Sequence, residues 1–397
     1  MAKEYTSLGL MSGTSGDGVD ASIIRSDGKT KYKIILDKYF KYNQDVYKNI
    51  HNLKDKINNS KDLENLSKKL ESLEKDITLF HVKAVDEVIK ETKSNINFIG
   101  FHGQTIFHSA KEKISKQLGD GELLSRLTKK TVVYNFREND LKNGGVGAPL
   151  SPIFHQLMVR KNKINFPVCV LNLGGIANAS FIYGHYPREI ISTDIGPGNC
   201  LIDEWVRKNS EKKYDRDGLI ARSGKSKNNI VAKLRKNFIK IKKHRNFRKS
   251  LDIKDFDLSF VRGLSLEDGA ATLTDFTAGT LWFYITFPIR KDESDRARLS
   301  KKFLKEIGLQ KKIGPWTIVV CGGGRKNKFL MESLRDFFHS YKNIIIKSID
   351  DYGVNGDFVE SQAFAYLAIR SYLKIPITFP MTTGCSEPCT GGVIIKN

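Results

Sequence analysis

Two stretches of this chain repeat one device: an apolar strand, a glycine-rich turn and a returning strand. Residues 5–11 read as a strand, Ser12-Gly13-Thr14-Ser15-Gly16-Asp17-Gly18 as its turn, and residues 19–24 as the return. Residues 166–173 form a second strand, Gly174-Gly175 its turn, and residues 176–182 the return. A glycine turn that leads back into a strand separates both from nucleotide-binding patterns whose turn opens a helix. Glycine suits such turns because it lacks a Cβ and takes positive φ, so backbone N–H groups can approach phosphate oxygens closely. A third turn, Cys321-Gly322-Gly323-Gly324, closes a strand at residues 317–320 and precedes a helix predicted over 326–339.

Between these devices the pattern alternates in kind. Residues 60–91 carry Leu63, Leu66, Leu70, Leu73, Ile77, Phe80 and Val85, mostly three or four apart, which is an amphipathic helical period. Residues 96–101 read as a short buried strand that ends at His102-Gly103-Gln104-Thr105. Strand 131–134 follows, and Gly144-Gly145-Val146-Gly147-Ala148-Pro149 breaks the chain ahead of a helix carrying His155 and Gln156. Residues 360–373 read as a buried helix. With 397 residues the chain is long enough for two domains. The glycine/proline stretch places the transition so that 1–140 holds the first hairpin and 141–397 the second, the final helix being free to return to the first domain. The class is α/β with mixed sheets. No close internal sequence repeat is visible.

Composition narrows the chemistry. Hydrophobic residues at 40% and charged residues at 28% are ordinary for a soluble globular chain. The start of the chain has no basic segment followed by an apolar one, and no apolar run approaches the roughly 20 residues of a membrane span. The expectation is a cytoplasmic protein with no membrane partner. The five cysteines are odd in number and form no C-x-x-C pair, so reduced thiols are expected; Cys385 and Cys389 lack a second pair of metal ligands. The net charge of +22 is concentrated in residues 222–249, which hold no Asp or Glu. That stretch is either a solvated lysine-rich helix face or a nucleic-acid surface. The scarcity of aromatics and of any nucleic-acid-binding motif favours the first, and a positive field also steers anionic substrates.

The residues that bear chemistry cluster in the turns. Gly13, Thr14, Ser15, Gly16, Asp17 and Gly18 offer backbone donors and two hydroxyls. Asp17 and Asp20 are candidates to hold Mg²⁺ through water, since that ion keeps much of its hydration. A plain hairpin turn explains the same residues without a ligand. Asp194 precedes Gly196-Pro197-Gly198, a setting for a rigidly held base or for an Asx turn.

These residues sit in blocks that resemble the anhydro-N-acetylmuramic acid kinase family. The blocks are Gly9-Leu10-Met11-Ser12-Gly13-Thr14-Ser15 with Asp17-Gly18-Val19-Asp20, His102-Gly103-Gln104-Thr105, and Phe136-Arg137 with Asp140 and Gly144 to Leu150. They continue through Asn172, Gly174-Gly175-Ile176 and Asn178, Asp194 with Gly196-Pro197-Gly198-Asn199, and Ala271 to Ala278. Cys321 to Gly324 and Glu360 with Ala363-Phe364-Ala365 complete them, in family order over nearly the whole chain. The resemblance implies a two-domain actin-like, ribonuclease H-like ATPase fold with a central cleft. It also implies ATP and Mg²⁺ as cofactors, an amino-sugar substrate from peptidoglycan, and a homodimer as one open assembly. It assigns Asp194 as the catalytic base and Glu360, Arg137 and His102 to the sugar. Gly13 to Asp20 (Val19 included), with Gly174, Gly175, Gly322 and Gly323, go to the nucleotide.

For three of these residues a bland reading stands beside the functional one. Glu360 could cap its helix, Arg137 could pair with Asp140, and His102 could be a satisfied core histidine. The chain departs from the family pattern at Gly16, where a larger apolar residue is usual, at Asn135 for aspartate and at Ile195 for threonine. Ser361 and Cys385 stand where alanine is common, and Arg248 to Leu251 matches a family Pro-Lys-Ser-Thr-Gly stretch only faintly. Two other functions remain on the sequence alone: a different sugar kinase of the same superfamily, or a basic nucleic-acid-binding protein. Assays on several sugars separate the first, and a salt-dependent gel shift the second.

Overall fold

A computed structural model describes residues 3–244, 251, 253–286 and 316–397. The chain divides into two compact units, Met1–Lys161 with Asp357–Asn397, and Asn162–Gly356.

The first unit is built on β1 (Tyr5–Ser12), β2 (Gly18–Ser26), β3 (Tyr32–Lys41), β4 (Phe98–Ser109), β5 (Ile114–Leu118) and β6 (Thr131–Tyr134). β1, β2 and β3 form an antiparallel meander, β4 pairs parallel with β1, and β6 pairs parallel with β4. The C-terminal strand Val393–Ile395 closes the edge beyond β6, and β5 pairs with the far half of β4. The second unit repeats the order with β7 (Val168–Leu173), β8 (Ile176–Ile182), β9 (Ile190–Pro197), β10 (Trp316–Cys321) and β11 (Ile344–Ser348). β7, β8 and β9 make the antiparallel meander, while β10 and β11 extend it in parallel from β7. The first sheet runs β3-β2-β1-β4-β6 with β5 off this path on β4, and the second runs β9-β8-β7-β10-β11, so both share one order: a reversed three-stranded meander, then two further strands beside its first. That is the mixed α/β, ribonuclease H-like order, and it appears twice with no close sequence repeat.

Each unit has its own core. In the first, Leu8, Leu10, Ile23, Ile99 and Phe101 of the sheet meet Ile50, Leu73, Ile77 and Val85 of the helices. Helix Ser67–Thr92 buries Leu70, Leu73, Ile77, Ala84, Val85 and Val88 and ends where Lys93 turns left-handed at φ 50°. The helical region expected over 60–91 is split at Leu66, which leaves helical geometry at φ −104°, ψ 8° between the short helix Ser60–Asn65, started by an Asn59–Asp62 capping box, and helix Ser67–Thr92.

The glycine/proline stretch at 144–149 is a loop inside the first unit. Val146 donates to the Thr383 carbonyl and Ser386 to that of Asn143. In helix Pro152–Lys161, Phe154 packs edge-on against Tyr32 and lies 5.7 Å from Tyr366. These contacts carry the unit to Lys161 rather than residue 140, and helix Val359–Tyr372 belongs to the same unit.

The basic stretch forms helix Asn228–His244 as far as it is described; residues 245–250 lie outside the described residues. Val231, Leu234 and Phe238 anchor it in the second unit's core while Lys233, Lys236 and Lys240 face outward. Burying three such side chains is worth on the order of 5 kcal/mol. Nearby, Arg222 pairs with Glu332, Lys227 with Asp268 and Arg235 with Asp275.

Candidate functional site

In the first hairpin, Gly16 takes φ +60° and its N–H closes a turn on the Gly13 carbonyl. An added Cβ at Gly16 would stand 3.0 Å from Ile50 Cγ2. Thr14, Ser15 and Asp17 are exposed at the tip, with Ser15 Oγ donating to Asp17 Oδ1 at 2.7 Å. Helix Gln44–Lys56 flanks the tip: His51 Nε2 meets the Ser15 carbonyl at 3.0 Å and Lys54 Nζ donates to that of Thr14 at 3.3 Å. Gly18 and Val19, expected at the nucleotide, have no room for a ligand on the side-chain side and could offer only main chain. A Cβ on Gly18 would meet the Phe40 carbonyl at 2.4 Å, and the Val19 side chain is in the core.

Asp20, opposite Met11 on β2, is pushed up to about 8, first by burial and then by Asp17, Glu360, Asp357 and Asp37. The charges that act on it most strongly are carboxylates. Asp37 accepts from Ser22 at 2.6 Å and from Gln362 at 3.0 Å, and burial raises it too. A group of hard oxygen anions short of positive charge fits a hydrated divalent cation. Among the described residues, no three His, Cys, Asp or Glu side chains form a chelating set. Glu360 stands in the first turn of helix Val359–Tyr372, where a carboxylate favours the helix dipole.

His102 and Arg137 meet directly. His102 Nδ1 donates to the Gly103 carbonyl at 2.8 Å, which leaves Nε2 to accept from Arg137 Nη2 at 2.9 Å. Burial, then the adjacent guanidinium, holds the ring far below its usual range, so it is neutral. Such a ring orients Arg137 and has no proton to trade near pH 7. Arg137 Nη1 also donates to the Gly147 carbonyl at 2.9 Å. Asp140, weighed as Arg137's partner, instead accepts from Gly147 N at 2.7 Å and Thr383 Oγ1 at 2.5 Å, and so shapes the loop. Asn135 takes φ 57°, a conformation Asn tolerates well, and its amide donates to Glu138.

β4 does not end at His102. Its pairing with β1 runs from Leu10↔Phe101 to Ser12↔Gln104, so β4 holds one extra residue there. Gly103 absorbs it at φ +72°. The glycine that reads as a strand end in the sequence is a bulge within a longer strand.

In the second unit a bulge also sets Asp194. Asn178 pairs with Asp194 and Ala177 with Gly196, which leaves Ile195 as the extra residue. Ile195 is buried in the core, so its hydrocarbon side chain serves packing. Asp194 is 8% exposed and its Oδ2 accepts from the Leu251 N–H at 2.8 Å. It is a strand residue held by main chain, not the first residue of an Asx turn.

Three glycine turns converge around β7. Gly198 and Asn199 donate to the Gly175 and Gly174 carbonyls at 2.9 Å each, and a Cβ on Gly198 would sit 2.1 Å from the Gly174 oxygen. Gly322, at φ +81°, lies against Asn172 and Leu173, while the space beside Gly323 is open. Arg325 clasps Asp350 with two bonds, of 2.6 and 3.0 Å, and donates to the Gly322 carbonyl at 3.0 Å. Although burial opposes it, this clasp holds the Asp350 carboxyl far below its usual range. In the sequence no role falls to Asn172, Asn199, Gln104 or the Arg325–Asp350 pair; the first three lie within the family blocks, and the pair has no local signal.

All five cysteines are buried free thiols, and no helix among the described residues is long and apolar enough to cross a membrane.

Comparison with known proteins adds the following. The profile of the anhydro-N-acetylmuramic acid kinase family matches residues 5–285 and 294–397. The chain is 54% identical over 397 residues to the anhydro-N-acetylmuramic acid kinase of Pelagibacter ubique (strain HTCC1062), covering 100% of both. It is 36% identical over 394 residues to that of Zymomonas mobilis subsp. mobilis, covering 98% of each. A solved ROK family glucokinase from Streptomyces griseus, in complex with glucose and AMPPNP, aligns over 91% of this chain and 99% of its own. Its identity is 11% and its TM-score 0.38.

Proposed function

The chain belongs to the anhydro-N-acetylmuramic acid kinase family, and from that membership we propose how its residues share the work. It is a phosphotransferase on anhydro-N-acetylmuramic acid, using ATP as the second substrate. Water adds to C1 of the 1,6-anhydro sugar, the C1–O6 bond breaks, and the freed O6 takes the γ-phosphoryl group. The products are N-acetylmuramic acid 6-phosphate and ADP, and the place of the reaction is the recycling of peptidoglycan in the cytoplasm. The observation that carries this reading is the full-length match to the family, which spans both glycine hairpins and the strand of Asp194.

Asp194 is the base that takes the proton of the attacking water. Its bond from the Leu251 N–H engages Oδ2 and helps to fix the carboxylate plane. Arg137 takes the lactyl carboxylate of the sugar, a pairing that suits the guanidinium fork. His102, neutral and bonded to Arg137, aims that fork. Glu360 contacts the sugar. The tip of the first hairpin, the Gly174-Gly175 turn and the Gly322-Gly323 turn receive the nucleotide, with Asp17 and Asp20 holding Mg²⁺ through water. Bound there, the ion would offset phosphate charge.

Turnover in ¹⁸O-labelled water tests the coupling of the two bond changes. One label is expected at the C1 hydroxyl of the early product and none in the phosphate. Label in the phosphate, or equal rates with a sugar already opened, overturns the reading. In the same assay Asp194→Asn is expected to lose about 10²–10⁴-fold in turnover while keeping its affinity for ATP. Near-normal turnover removes Asp194 from the role.

A further inference from the structure

Gln104 belongs to the His102-Gly103-Gln104-Thr105 block, yet no role in the reaction above falls to it. We propose that Gln104, acting with Ser12 and Tyr42, is a positioning residue that sets the Ser12–Gly18 turn for the phosphates of ATP. The proposal rests on the reading of that turn as a phosphate-binding loop.

β1 and β4 run parallel, and side chains along a strand alternate between two faces. Without an extra residue, Gly103 would pair with Ser12 and Gln104 would fall one place beyond it. The bulge at His102–Gly103 moves Gln104 opposite Ser12. A one-residue insertion flips the face that all following side chains present, which is how a bulge re-aims a side chain. Gly103 permits it, since φ +72° is costly for other residues and a Cβ there would meet the Leu118 carbonyl at 2.5 Å.

Once opposite Ser12, Gln104 is fully buried and its amide has one orientation. Nε2 reaches the Gly13 carbonyl at 3.0 Å and that of Thr105 at 3.3 Å. Carbonyls only accept, so the NH₂ must be the group placed there. Oε1 then accepts from Ser12 Oγ at 2.6 Å. The Ser12 hydroxyl has a single proton, and the Gly18 carbonyl, at 3.0 Å, lies within its reach as well. Ser12 receives in turn from the Tyr42 hydroxyl at 3.1 Å. Burial pushes the Tyr42 phenol up, so it stays a donor at any working pH.

Donation therefore runs one way: Tyr42 to Ser12, Ser12 to Gln104, and Gln104 to Gly13. Its end points are the parts of the turn that set its shape. Ser12 and Gly18 are the two feet, and the Gly13 carbonyl also receives the Gly16 N–H that closes the tip. Tyr42 holds the turn a second time, its N–H donating to the Asp17 carbonyl at 2.9 Å. The tip residues Thr14, Ser15 and Asp17 are exposed, and the buried relay beneath them acts with the bonds from His51 and Lys54 to set where they stand.

Steady-state kinetics on Gln104→Leu, Gln104→Glu, Tyr42→Phe, the Tyr42→Phe/Gln104→Leu pair and Thr14→Ala, with a thermal melt of each, tests the relay. Gln104→Leu is expected to raise KM for ATP about tenfold, the size expected from losing the buried bond that holds the Gly13 carbonyl. KM for the sugar should stay within about twofold. Gln104→Glu should match it, because the carboxylate still accepts from Ser12 but cannot donate to Gly13. Tyr42→Phe should cost about threefold alone and add little to Gln104→Leu, since both cut one chain. Gln104→Glu with a wild-type KM for ATP, or fully multiplicative effects in the pair, overturns the relay. So do variants that lower the melting temperature and leave KM for ATP unmoved, which is the mark of a purely structural residue. Thr14→Ala separates the premise from the proposal. A raised KM for ATP in Thr14→Ala with silent Gln104 variants sinks the relay alone. Silence in both sinks the phosphate-loop reading and the relay with it.

Discussion

At the scale of residues, three histidines of the first unit are neutral because they are buried. His81 is pushed down to about 4 and His155 to about 3, both by burial, and His102 falls well below its usual 6.5 by burial and then by Arg137. In the unfolded chain each ring titrates near 6.5. Below that pH the unfolded state binds protons that the folded state refuses. The stability is thus fully present above about pH 6.5 and is lost as the pH falls toward the folded values of about 4 and 3. Denaturant titrations at pH 7, 6 and 5 should show the loss. His155→Leu should flatten the slope by up to about 1.4 kcal/mol per pH unit, one proton's worth, whatever it does to stability at pH 7. An unchanged slope in that variant would mean His155 is protonated in the fold.

At the scale of elements, the contact that sequence patterning conceals is the seat of helix Val359–Tyr372. Gly9 on β1 and Gly100 on β4 are register partners, and the helix crosses both. A Cβ on Gly9 would lie 1.9 Å from the Ser361 carbonyl, and one on Gly100 would lie 2.2 Å from that of Phe364. Both obstacles are main chain, so no rotamer change relieves them. Ala363, Ala365 and Ala368 keep the helix's own face low, and Ala365 and Ala368 lie beside these glycines. Gly9→Ala and Gly100→Ala should each cost about 1–3 kcal/mol or more, because the helix must lift from the sheet that it shields. Gly323→Ala, where nothing stands within 4 Å, should leave stability nearly unchanged. Urea unfolding of the three variants checks this, and equal midpoints would place the helix elsewhere. The first turn of that helix carries Glu360, so the glycines also set where Glu360 stands.

At the scale of the whole molecule, the first unit is discontinuous in sequence. Residues 357–397 supply the helix over Gly9 and Gly100, the edge strand beyond β6, and Thr383, which bonds Asp140. A fragment of residues 1–161 should therefore fail to fold, for it would lose the helix over Gly9 and Gly100 and expose Phe136 and Phe154, which pack on Phe364 and Tyr366. Joining 1–161 to 357–397 through a flexible Gly/Ser linker should restore a cooperative thermal transition, because loop-closure cost grows only slowly with linker length. Folding of 1–161 alone, with protected amides in β1 and β4 by hydrogen exchange, would refute this division.

Residues adjacent along the chain enforce only local conformation. Glycine turns sit directly between the strands that they join, so both hairpins, the amphipathic helix of the first unit and the helix after Gly324 were legible, within a few residues at their ends. The candidate groups Asp194, Arg137, His102 and Glu360 were legible as members of blocks. Only the tertiary structure decided what each group faces. The bulges at His102–Gly103 and at Ile195 turn on the pairing of a strand with its partner. In a period-two element one inserted residue exchanges the faces, and the count of residues between partners is fixed by the other strand. His102 reaches Arg137, and Asp140 reaches Thr383, across long separations in sequence. Gly9 is required because a helix from the far end of the chain lies on it. Local preference is written in adjacent residues, whereas register, burial and approach distance exist only once distant segments have met.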